Sequence, residues 1–386
     1  MKIIYIANAR IPTEKAHGYQ ICKMCEELSS AEAEIELWAP TRENPIKEDA
    51  FKYYGLKQNF KIKYIKSFDF IRYDKLLFKK SFYLQSLLFF LKLAFKKINK
   101  NAIIYTRNPE LVWFFNLRRL KTVYECHDWF GKKKKIALIC LRKCNYIITT
   151  NNYIKKEFVQ HGFGKNILVA PNGVNLEIFN INIFKEEAIE KLGIDESFKK
   201  KISDKKILLY TGSFRTMRVD KGIDEILHSL KKLNNKKIFF IAVGGNEKDI
   251  AYYENFAKDI GVTEICIFIG RRAQTELALW QKASDILLMP FPDKAHYRYF
   301  MTPLKIFEYM AAKKPIIASD LPSILEILND KNAFFCKPDN VDDLAEKINY
   351  VLNNKEEAQV KATQTSKDVL KYSWDKRVEK IINFIN

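Results

Sequence analysis

The feature that most constrains the fold of this chain is a regular alternation between short apolar runs and segments with helical periodicity. Such runs, separated by helices, are typical of βαβ units, in which helices join parallel strands and cover the sheet. The sequence therefore predicts an α/β fold built on parallel sheets. The predicted strands are 2–7, 35–39, 61–65, 102–106, 122–126, 146–149, 206–210, 238–243, 265–269, 286–289 and 315–318, and the predicted helices include 19–28, 83–95, 154–160, 224–233 and 273–282.

Turn residues near the middle of the chain predict a boundary between two domains. The chain has 386 residues, whereas a domain usually has about 100 to 200. Ala170-Pro171-Asn172-Gly173-Val174 interrupts the alternation after a short apolar run, and Pro, Asn and Gly favour turns. We predict doubly wound domains over 1–170 and 171–365 and a helical end over 366–386. The lysine-rich stretch 191–206 is expected to be a surface excursion.

Basic residues are concentrated in the first half of the chain. The formal charge is +20, and residues 1–170 contain 32 Lys and Arg against 15 Asp and Glu. Residues 51–100 are the extreme segment, with 13 basic residues, 2 acidic residues and 14 Phe or Tyr. This charge favours nucleic acid or an anionic membrane surface as a partner. Because no nucleic-acid-binding motif accompanies it, a basic α/β nucleic-acid-binding protein is the weaker alternative, and no nucleic acid partner is predicted.

The chain contains no stretch that predicts secretion or membrane insertion. Met1 leads directly into the first strand-like run, without the charged and apolar regions of a signal peptide. The longest apolar stretch, 81–95, is interrupted by polar residues and is shorter than the ~20 residues of a membrane span. We expect a cytoplasmic protein that does not cross the membrane.

The cysteines predict reduced thiols. There are seven, an odd number, and they are scattered along the chain, unlike the cysteines of a disulfide framework. Cys22-x-x-Cys25 and Cys140-x-x-x-Cys144 offer zinc ligands as an alternative. Both pairs lie in helical patterns without the glycine-rich turns that usually present such ligands, so we assign no metal to them.

The loops that follow the predicted strands are where a doubly wound sheet binds its ligands. After the first strand the chain offers one glycine, Gly18, instead of the G-x-G-x-x-G fingerprint, and it has no G-x-x-x-x-G-K-[ST] phosphate loop. Nicotinamide redox chemistry and P-loop nucleotide hydrolysis therefore lose support. Three later loops carry residues suited to chemistry: 127–129, 212–222 and 302–308.

The loop 212–222 suits a diphosphate. A predicted strand ends just before Gly212, and the loop then offers cations that include Arg215 and Lys221. Guanidinium and ammonium groups neutralise phosphates at such a position, although a solvated basic loop is the alternative. After another strand, His127 is equally compatible with a structural hydrogen-bonding role and a catalytic one.

The segment 302–308 predicts a helix N-terminus. Thr302 as the cap and Pro303 as the first helical residue form a common start signal, and the free amides and dipole of such a helix suit a phosphate. Glu308 lies two turns into the helix, where its carboxylate could accept hydrogen bonds from a pair of ribose hydroxyls. A surface glutamate is the simpler interpretation of the spacing alone.

At this segment the sequence resembles a known family. Residues 302–326 are similar to the nucleotide-sugar signature of family 4 glycosyltransferases, in the subgroup with the form T/S-P-L-K-x-F-E-Y-M-A. These are retaining enzymes with the GT-B architecture of two facing Rossmann-like domains. The resemblance covers nearly the whole chain: 17–20 resembles the first-strand loop, His127-Asp128 the donor-sugar histidine, 171–174 the interdomain segment, 212–222 the Arg/Lys diphosphate clamp and 372–384 the closing helix.

The resemblance implies a division of labour. It assigns acceptor binding to 1–170, nucleotide-sugar binding to 171–365 and a crossover helix packing on the first domain to 366–386. The implied activity is hexosyl transfer from a nucleotide diphosphate sugar to a glycan acceptor, with a lipid-linked acceptor expected, in cell-surface polysaccharide, lipopolysaccharide or glycoconjugate synthesis. No cofactor is implied. The implied catalytic residues are His127, Arg215 and Lys221, and the implied nucleotide-sugar-binding residues are Gly18, Gly212, Arg271, Thr302, Pro303, Leu304, Lys305 and Glu308.

The sequence departs from the family pattern in two places. Phe300 stands where the usual E-x7-E pair has its first glutamate, and the first loop has one glycine where the family has two. No Asp-x-Asp occurs in the chain, so the cationic loop and the helix amides are expected to neutralise the diphosphate without a metal ion. A GT-B epimerase or phosphorylase is the alternative reaction.

The predicted helix 83–95 carries an apolar stripe whose simplest role is to pack on the sheet of the first domain. The aromatic and basic residues outside the stripe favour a second role, because interfacial segments combine such residues at an anionic lipid surface. We therefore predict a peripheral protein on the inner face of the membrane. The stripe contains Leu84, Leu87, Leu88 and Leu91, and the predicted membrane-docking residues are Lys75, Lys79 and Lys80.

Overall fold

The computed structural model of the protein describes residues 1–70, 81–164, 166–216 and 219–386. It divides into two compact units, the first formed by 1–171 and 374–386 and the second by 172–373. Each unit is an α/β domain with its own parallel sheet, which confirms the predicted fold class.

The first unit contains a seven-stranded parallel sheet in the order β3-β2-β1-β4-β5-β6-β7. Its strands are rich in isoleucine, tyrosine and threonine, which fit a sheet covered on both faces. The strands are β1 (Lys2–Ile6), β2 (Glu34–Pro40), β3 (Lys61–Ile65), β4 (Ile103–Thr106), β5 (Lys121–Cys126), β6 (Tyr146–Thr149) and β7 (Ile167–Val169).

Helices cover both faces of this sheet. Strand order runs in one direction from β1 to β3 and in the other from β4 to β7. Because such crossovers are right-handed, α1 and α2 lie on one face and α3 to α6 on the other. The helices are α1 (Ala16–Ser30), α2 (Ala50–Tyr54), α3 (Ser81–Ala94), α4 (Pro109–Leu117), α5 (Lys134–Leu141), α6 (Asn152–Gln160) and the C-terminal α17 (Trp374–Ile385), with a short 3-10 turn at Gly131–Lys133.

The second unit contains a six-stranded parallel sheet in the order β12-β11-β8-β13-β14-β15. A two-stranded antiparallel hairpin, β9 with β10, follows β8. Apolar side chains on the two faces of the sheet form two buried clusters. The strands are β8 (Lys206–Thr211), β9 (Arg215–Thr216), β10 (Val219–Asp220), β11 (Ile238–Gly245), β12 (Cys266–Gly270), β13 (Ile286–Met289), β14 (Ile316–Ser319) and β15 (Phe334–Cys336).

The helices of the second unit alternate with its strands. Between α12 and α13, one turn of π-helix at His296–Phe300 interrupts the regular pattern, and 3-10 turns occur at Thr263–Ile265 and Val369–Tyr372. The helices are α7 (Leu176–Phe179), α8 (Lys185–Lys191), α9 (Glu196–Ile202), α10 (Ile223–Leu233), α11 (Glu247–Ile260), α12 (Gln274–Ala283), α13 (Leu304–Ala311), α14 (Pro322–Leu325), α15 (Val341–Asn353) and α16 (Lys355–Asp368).

The predicted strands agree with the observed ones to within two residues at each end, and the short strands β7, β9, β10 and β15 were not predicted. One local prediction was wrong. The end of the chain is not one helix over 366–386, because α16 stops at Asp368 and α17 starts at Trp374. The stretch 191–206 lies at the surface as expected, with Ile202 of α9 buried and Phe198 packed near Phe239.

Helix α3 packs through the face opposite to the one expected from its leucines. Phe89 and Leu93 are fully buried in the cluster that covers β1 and β4. Gln85 is also buried, where its amide donates to the Ser67 hydroxyl at 2.9 Å and accepts from the Phe70 N–H at 3.0 Å. Three leucines of the predicted packing stripe are exposed instead, namely Leu84, Leu87 and Leu91.

Candidate functional site

The candidate site of the second unit begins where β8 ends. Gly212 follows the strand with a φ of 111°, a left-handed conformation that favours glycine. Gly244 of the neighbouring strand has a φ of 124°, and a side chain there would lie 2.6 Å from the Gly212 carbonyl oxygen. The two glycines therefore allow two strand ends to approach closely and leave the backbone accessible beside Gly212.

Lys305 of α13 points its side chain toward this strand end. Its Nζ lies 3.4 Å from the centroid of the Tyr210 ring and 5.2 Å from that of Phe291. The residue is 8% exposed, and its Nζ has no hydrogen-bond partner within the part of the chain that the structure describes. Burial, and after it the charge of Lys221, holds the pKa of Lys305 well below its ordinary value.

Lys221 is the second cation of this group. Its Nζ donates to the Ser213 hydroxyl at 2.8 Å. Burial lowers the pKa of Lys221 to about 8, so the ammonium form is poorly solvated in the protein. A bound anion would stabilise the charged form of both lysines.

Glu308 lies one turn after Lys305 on α13. Burial raises the pKa of Glu308 to about 7, against the opposing effect of the Lys305 charge. Tyr309, the next residue, fastens the helix to the strand because its hydroxyl accepts from the Thr211 N–H at 2.8 Å. Lys305 and Glu308 on this fixed helix therefore share a site with Lys221, which lies in the turn before α10.

The start of α13 differs from the prediction. The helix begins at Leu304, and Pro303 occupies the N-cap position with an extended backbone, φ −73° and ψ 143°. The predicted Thr302 cap is wrong, because no side chain caps this helix and the Thr302 carbonyl accepts from the Asn172 side-chain amide at 2.7 Å. The first amides of the helix still lack intrahelical acceptors, as at any helix start.

The turn that presents Lys221 is held by Asp220 and Gly222. The Asp220 carboxylate accepts from the N–H groups of Gly222 and Ile223 at the start of α10, and from the Tyr253 hydroxyl. Gly222 has a φ of 96°, and a side chain there would lie 1.8 Å from the Pro290 carbonyl oxygen. Glycine is therefore required beside Lys221 for a backbone reason.

Arg215 lies on the hairpin that follows β8. Its guanidinium lies 3.8 Å from the ring centroid of Tyr252 and 5.6 Å from that of Tyr253. This contact with two aromatic faces orients the cation. Arg271 is exposed directly after β12.

A second charged cluster lies in the first unit around Glu125, a fully buried residue at the end of β5. One oxygen of its carboxylate accepts from Arg107 at 3.1 Å, from Arg377 of α17 at 3.0 Å and from His127 Nε2, and the other accepts from the Tyr105 hydroxyl. These partners hold the pKa of Glu125 well below its ordinary value in spite of its burial. Both oxygens of the Glu125 carboxylate are paired, whereas Arg107 Nε is buried without a hydrogen-bond partner among the described residues. The contact with Arg377 ties the last helix to the sheet.

His127 is held in one tautomer by this cluster. Burial, and after it the charge of Arg107, lowers the pKa of His127 to about 4, so the ring is neutral at neutral pH. Since the Glu125 carboxylate can only accept, Nε2 carries the ring proton and Nδ1 is left as an acceptor. A neutral histidine in this state can accept a hydrogen bond from a hydroxyl group.

Gly18 lies in the first turn of α1. A side chain there would lie 2.1 Å from the Tyr54 hydroxyl oxygen and 2.5 Å from the Thr13 methyl carbon. Close packing therefore explains this glycine without a ligand, and the predicted role of Gly18 in donor binding gains no support from its surroundings.

Sequence reasoning missed the residues that set the properties of both clusters. A glutamate inside the apolar run of β5 was the available signal for Glu125, because a buried carboxylate requires cationic or hydrogen-bonding partners. Tyr210 and Tyr309 gave no such signal, since aromatic residues in a strand and a helix are normally explained by packing.

Three remaining predictions concern the membrane-docking lysines, metal binding and membrane-spanning helices. Lys75, Lys79 and Lys80 lie outside the described residues. Within the described ranges, no group of three or more His, Cys, Asp or Glu side chains is placed to hold a metal ion. None of the helices in those ranges is long and apolar enough to cross a membrane.

Two protein-family models match successive parts of the chain. A model described as Glycosyltransferase Family 4 matches residues 18–178, and one described as Glycosyl transferases group 1 matches residues 194–368. With the two parallel-sheet domains, these matches support a glycosyltransferase of the GT-B class. The narrower T/S-P-L-K-x-F-E-Y-M-A subgroup stays a prediction.

Particular relatives are distant. An uncharacterized glycosyltransferase of Methanocaldococcus jannaschii is 25% identical over 233 residues, which are 60% of this chain and 56% of the relative. The lipopolysaccharide 1,2-N-acetylglucosaminetransferase of Salmonella typhimurium is 25% identical over 241 residues, which are 59% of this chain and 58% of the relative. The chain thus matches little more than half the length of these curated relatives.

Solved structures are similar over the whole chain. The crystal structure of Anabaena Alr3699/HepE in complex with UDP has a TM-score of 0.73 and 16% sequence identity, and the match covers 99% of each chain. At this level of identity the comparison establishes the fold.

Proposed function

We propose that the protein is a retaining glycosyltransferase that moves a hexose from a nucleotide diphosphate sugar to a glycan acceptor. The observation that carries this proposal is the buried ammonium of Lys305, which lies near Lys221 at the end of β8 and has no hydrogen-bond partner in the described part of the chain. Two poorly solvated cations at one strand end suit a ligand with adjacent phosphates, because the charge of such a ligand would stabilise the ammonium form of both lysines.

The donor would bind with its diphosphate near Gly212, Lys221 and Lys305 and the first amides of α13. Gly212 allows a close approach, since a side chain there would lie 3.4 Å from Cε of Lys305. Glu308 would accept hydrogen bonds from the ribose hydroxyls. Arg215, held over the Tyr252 ring, would add positive charge from the hairpin. Arg271 would contribute from the loop after β12.

Transfer with retention would proceed on one face of the donor sugar. The bond between the anomeric carbon and the leaving phosphate oxygen breaks while the acceptor oxygen bonds to the same face, and the departing phosphate takes the acceptor proton. Lys221 and Lys305 would stabilise the charge that develops on the phosphate. His127, neutral and accepting at Nδ1, would orient a hydroxyl of the donor sugar.

The first unit would bind the acceptor, and the strongly basic first half of the chain supports an acceptor displayed at an anionic membrane. A lipid-linked glycan of cell-surface polysaccharide, lipopolysaccharide or glycoconjugate synthesis fits this location. The similarity to a lipopolysaccharide transferase also supports a lipid-linked acceptor. The protein would then act as a peripheral protein on the cytoplasmic face of the membrane.

Donor binding tests the proposal most directly. Thermal unfolding should be measured with UDP-, GDP- and dTDP-sugars, followed by mass spectrometry of free sugars and of glycolipids in lipid extracts. The expected result is stabilisation by one class of sugar nucleotide, about 2.7 kcal/mol at a hundred times its Kd, and a glycosylated acceptor. Conversion of the donor without a new glycoside would support an epimerase, and no stabilisation by any sugar nucleotide would contradict the proposal.

Metal independence is part of the same proposal, because the cations of the second unit would neutralise the diphosphate. Transfer should survive EDTA unchanged. Activity that disappears in EDTA and returns with Mg²⁺ or Mn²⁺ would contradict it.

A further inference from the structure

The first unit carries an exposed apolar surface on one face of its sheet, formed by α3, α4 and α5. We call this surface the three-helix face. It projects large apolar side chains into solvent from each helix. They are Tyr83, Leu84, Leu87 and Leu91 of α3, Trp113 and Leu117 of α4, and Ile136 and Ile139 of α5, each between 36% and 64% exposed.

The three helices are neighbours on one side of the sheet and contact one another through individual side chains. Helices α3 and α4 bury Phe89, Leu93, Leu111 and Phe115 in one apolar cluster on the sheet. The Arg118 guanidinium, just after α4, donates to the carbonyl groups of Leu93 and Lys96 near the end of α3. Helix α5 packs against α4, and Lys133 just before it lies over the ring of Tyr83 at 4.9 Å.

Each of the three helices buries other apolar residues against the core of the first unit. On α3 the buried residues Phe89 and Leu93 face the sheet, so Leu87 and Leu91 are not needed there. On α5 the buried residues Ala137 and Leu141 face inward, while Ile136 and Ile139 are both 64% exposed. Large apolar side chains exposed together on neighbouring helices of a folded domain are typical of an interaction site.

The charged residues around this face are mostly basic, which favours an anionic partner. Segments 81–97, 109–119 and 131–143 contain 11 Lys and Arg and a single acidic residue, Glu110. Exposed Lys132, Lys135 and Lys143 flank the two exposed isoleucines of α5. Apolar and aromatic side chains that enter the headgroup boundary, beside lysines that remain in contact with anionic lipid, are the two components of interfacial binding.

We infer that the three-helix face of the first unit docks on an anionic lipid bilayer. This deepens the proposed function, on which it rests for the lipid-linked acceptor, and it places the contact on α3, α4 and α5. The predicted docking residues Lys75, Lys79 and Lys80 are not required for it. Trp113 is the best internal reporter, because an exposed tryptophan on this face would move into the headgroup region.

Vesicle binding by the full chain, without any sugar nucleotide, tests the inference. Flotation should be compared on vesicles of phosphatidylcholine alone and of an equimolar mixture of phosphatidylcholine and phosphatidylglycerol, at low and high salt. We expect binding to the mixed vesicles that weakens with salt. The triple variant Lys132→Glu, Lys135→Glu, Lys143→Glu should reduce this binding by about tenfold or more.

A matched triple variant controls for net charge. Lys47→Glu, Lys52→Glu and Lys57→Glu change the charge by the same amount in the same unit, around α2 on the other face of the sheet. This control should bind the mixed vesicles nearly as well as the wild type. An equal loss in both triple variants would overturn the inference, because nonspecific charge attraction would then account for the binding.

The apolar contribution has its own readout. Brominated lipids in the mixed vesicles should quench tryptophan fluorescence of the wild type, and Trp113→Phe should remove most of the quenching. The double variant Leu87→Gln, Ile136→Gln should bind more weakly at high salt, where charge is screened. Quenching unchanged in Trp113→Phe would overturn the inference, as would equal binding to neutral and mixed vesicles.

Two further measurements distinguish lipid docking from self-association and from donor binding. Sedimentation of the wild type and the Leu87→Gln, Ile136→Gln variant should give the same molecular mass, and a dimer lost in the variant would assign the face to a second copy and overturn the inference. The donor-dependent thermal shift should be the same in all these variants. Its absence in the wild type would contradict the proposed function while leaving the vesicle result to decide the docking.

Discussion

Each unit of the chain buries a group of charged side chains near the end of a strand, and the two groups differ in how far they are paired. Around Glu125 in the first unit, two guanidinium groups, a histidine and a tyrosine hydroxyl bind one carboxylate. In the second unit, Lys305 is buried over an aromatic ring and its ammonium has no hydrogen-bond partner among the described residues.

This difference distinguishes buried charges that stabilise the fold from buried charges that are available to bind a ligand. Burial of a charge costs free energy, which a complete set of partners recovers within the fold. The Glu125 carboxylate has partners on both of its oxygens, so its removal should affect stability first. In the proposed function the donor phosphates supply the partner that the Lys305 ammonium lacks, so removal of Lys305 should affect binding and transfer first.

The largest effect is expected from removing the centre of the paired cluster. Glu125→Ala leaves Arg107 and Arg377 without their carboxylate, and the free energy of unfolding should fall by about 3 to 5 kcal/mol. Urea denaturation measures this change. As a control, Glu34→Ala removes one partner of an exposed ion pair with Lys2 and should cost at most about 1 kcal/mol. Similar losses of unfolding free energy in Glu125→Ala and Glu34→Ala would contradict a special structural role for Glu125.

A comparable effect, but on the transfer rate, is expected at the lysines of the incomplete group. Lys305→Met should lower kcat/KM by about 10² to 10³, equivalent to about 3 to 4 kcal/mol, because a preorganised cation is lost from the leaving phosphate. Lys221→Ala and Glu308→Ala should each lose most transfer as well.

Stability distinguishes these variants from Glu125→Ala. The free energy of unfolding of Lys305→Met should be unchanged or higher than that of the wild type, because a desolvated amine is replaced by a side chain of similar shape. Lys258→Met, at an exposed position, is the matched control and should leave transfer unchanged. Full activity in Lys305→Met, or a stability loss like that of Glu125→Ala, would place Lys305 with the structural charges.

The pH dependence of kcat/KM should reflect the titration of Glu308 and Lys221. Glu308 has a pKa of about 7, so its carboxylate is lost as the pH falls below 7, and Lys221 has a pKa of about 8, so its charge is lost as the pH rises above 8. A plot of kcat/KM against pH should therefore peak between these values and fall by about tenfold per unit on each side.

Single variants assign the two limbs of this profile. Glu308→Gln should flatten the acid limb at a lower overall rate, because the amide does not titrate. Lys221→Arg should move the alkaline fall to higher pH, because a guanidinium stays charged. A profile that keeps both limbs in both variants would assign the titrations to other groups.

The smallest effect is expected at Arg215, whose cation is already supported by two aromatic rings. Removing it in Arg215→Ala should weaken donor binding by about 0.5 to 2 kcal/mol, the range of a cation–π contact and an exposed charge. Isothermal titration with the preferred sugar nucleotide measures this. A loss larger than that of Lys221→Ala would reverse the order of importance proposed for the two cations.

Much of the fold could be predicted because most of the parallel strands are short apolar runs and β3 alternates lysine with apolar residues. Strands 61–65, 146–149 and 286–289 were predicted with the observed bounds. Strands of two or three residues, such as β9, β10 and β15, carry too few residues to show a period. The start of α13 was misplaced by one residue, since a Thr-Pro pair predicts a cap, whereas the Thr302 carbonyl is engaged by Asn172.

Lys221 and Glu308 were chosen from the sequence by their chemical type and their position after strands, whereas Lys305 and Gly18 were implied by the resemblance to family 4 glycosyltransferases. The structure brings Lys221, Lys305 and Glu308 together, and close packing accounts for Gly18. Neither route could find Tyr210 beneath Lys305, because that contact joins residues that are far apart in sequence.

By itself, the sequence determined the α/β class, the two parallel-sheet domains and the basic character of the first half, because these depend on periodicity and composition. Only the tertiary structure decided which face of α3 is buried and which charges are paired. Helix α3 has two apolar faces, and packing placed Phe89 and Leu93 inward and left Leu87 and Leu91 exposed. Likewise, Glu125 acquires Arg377 from a helix 252 residues later, because pairing depends on distances in space, which neither periodicity nor composition encodes.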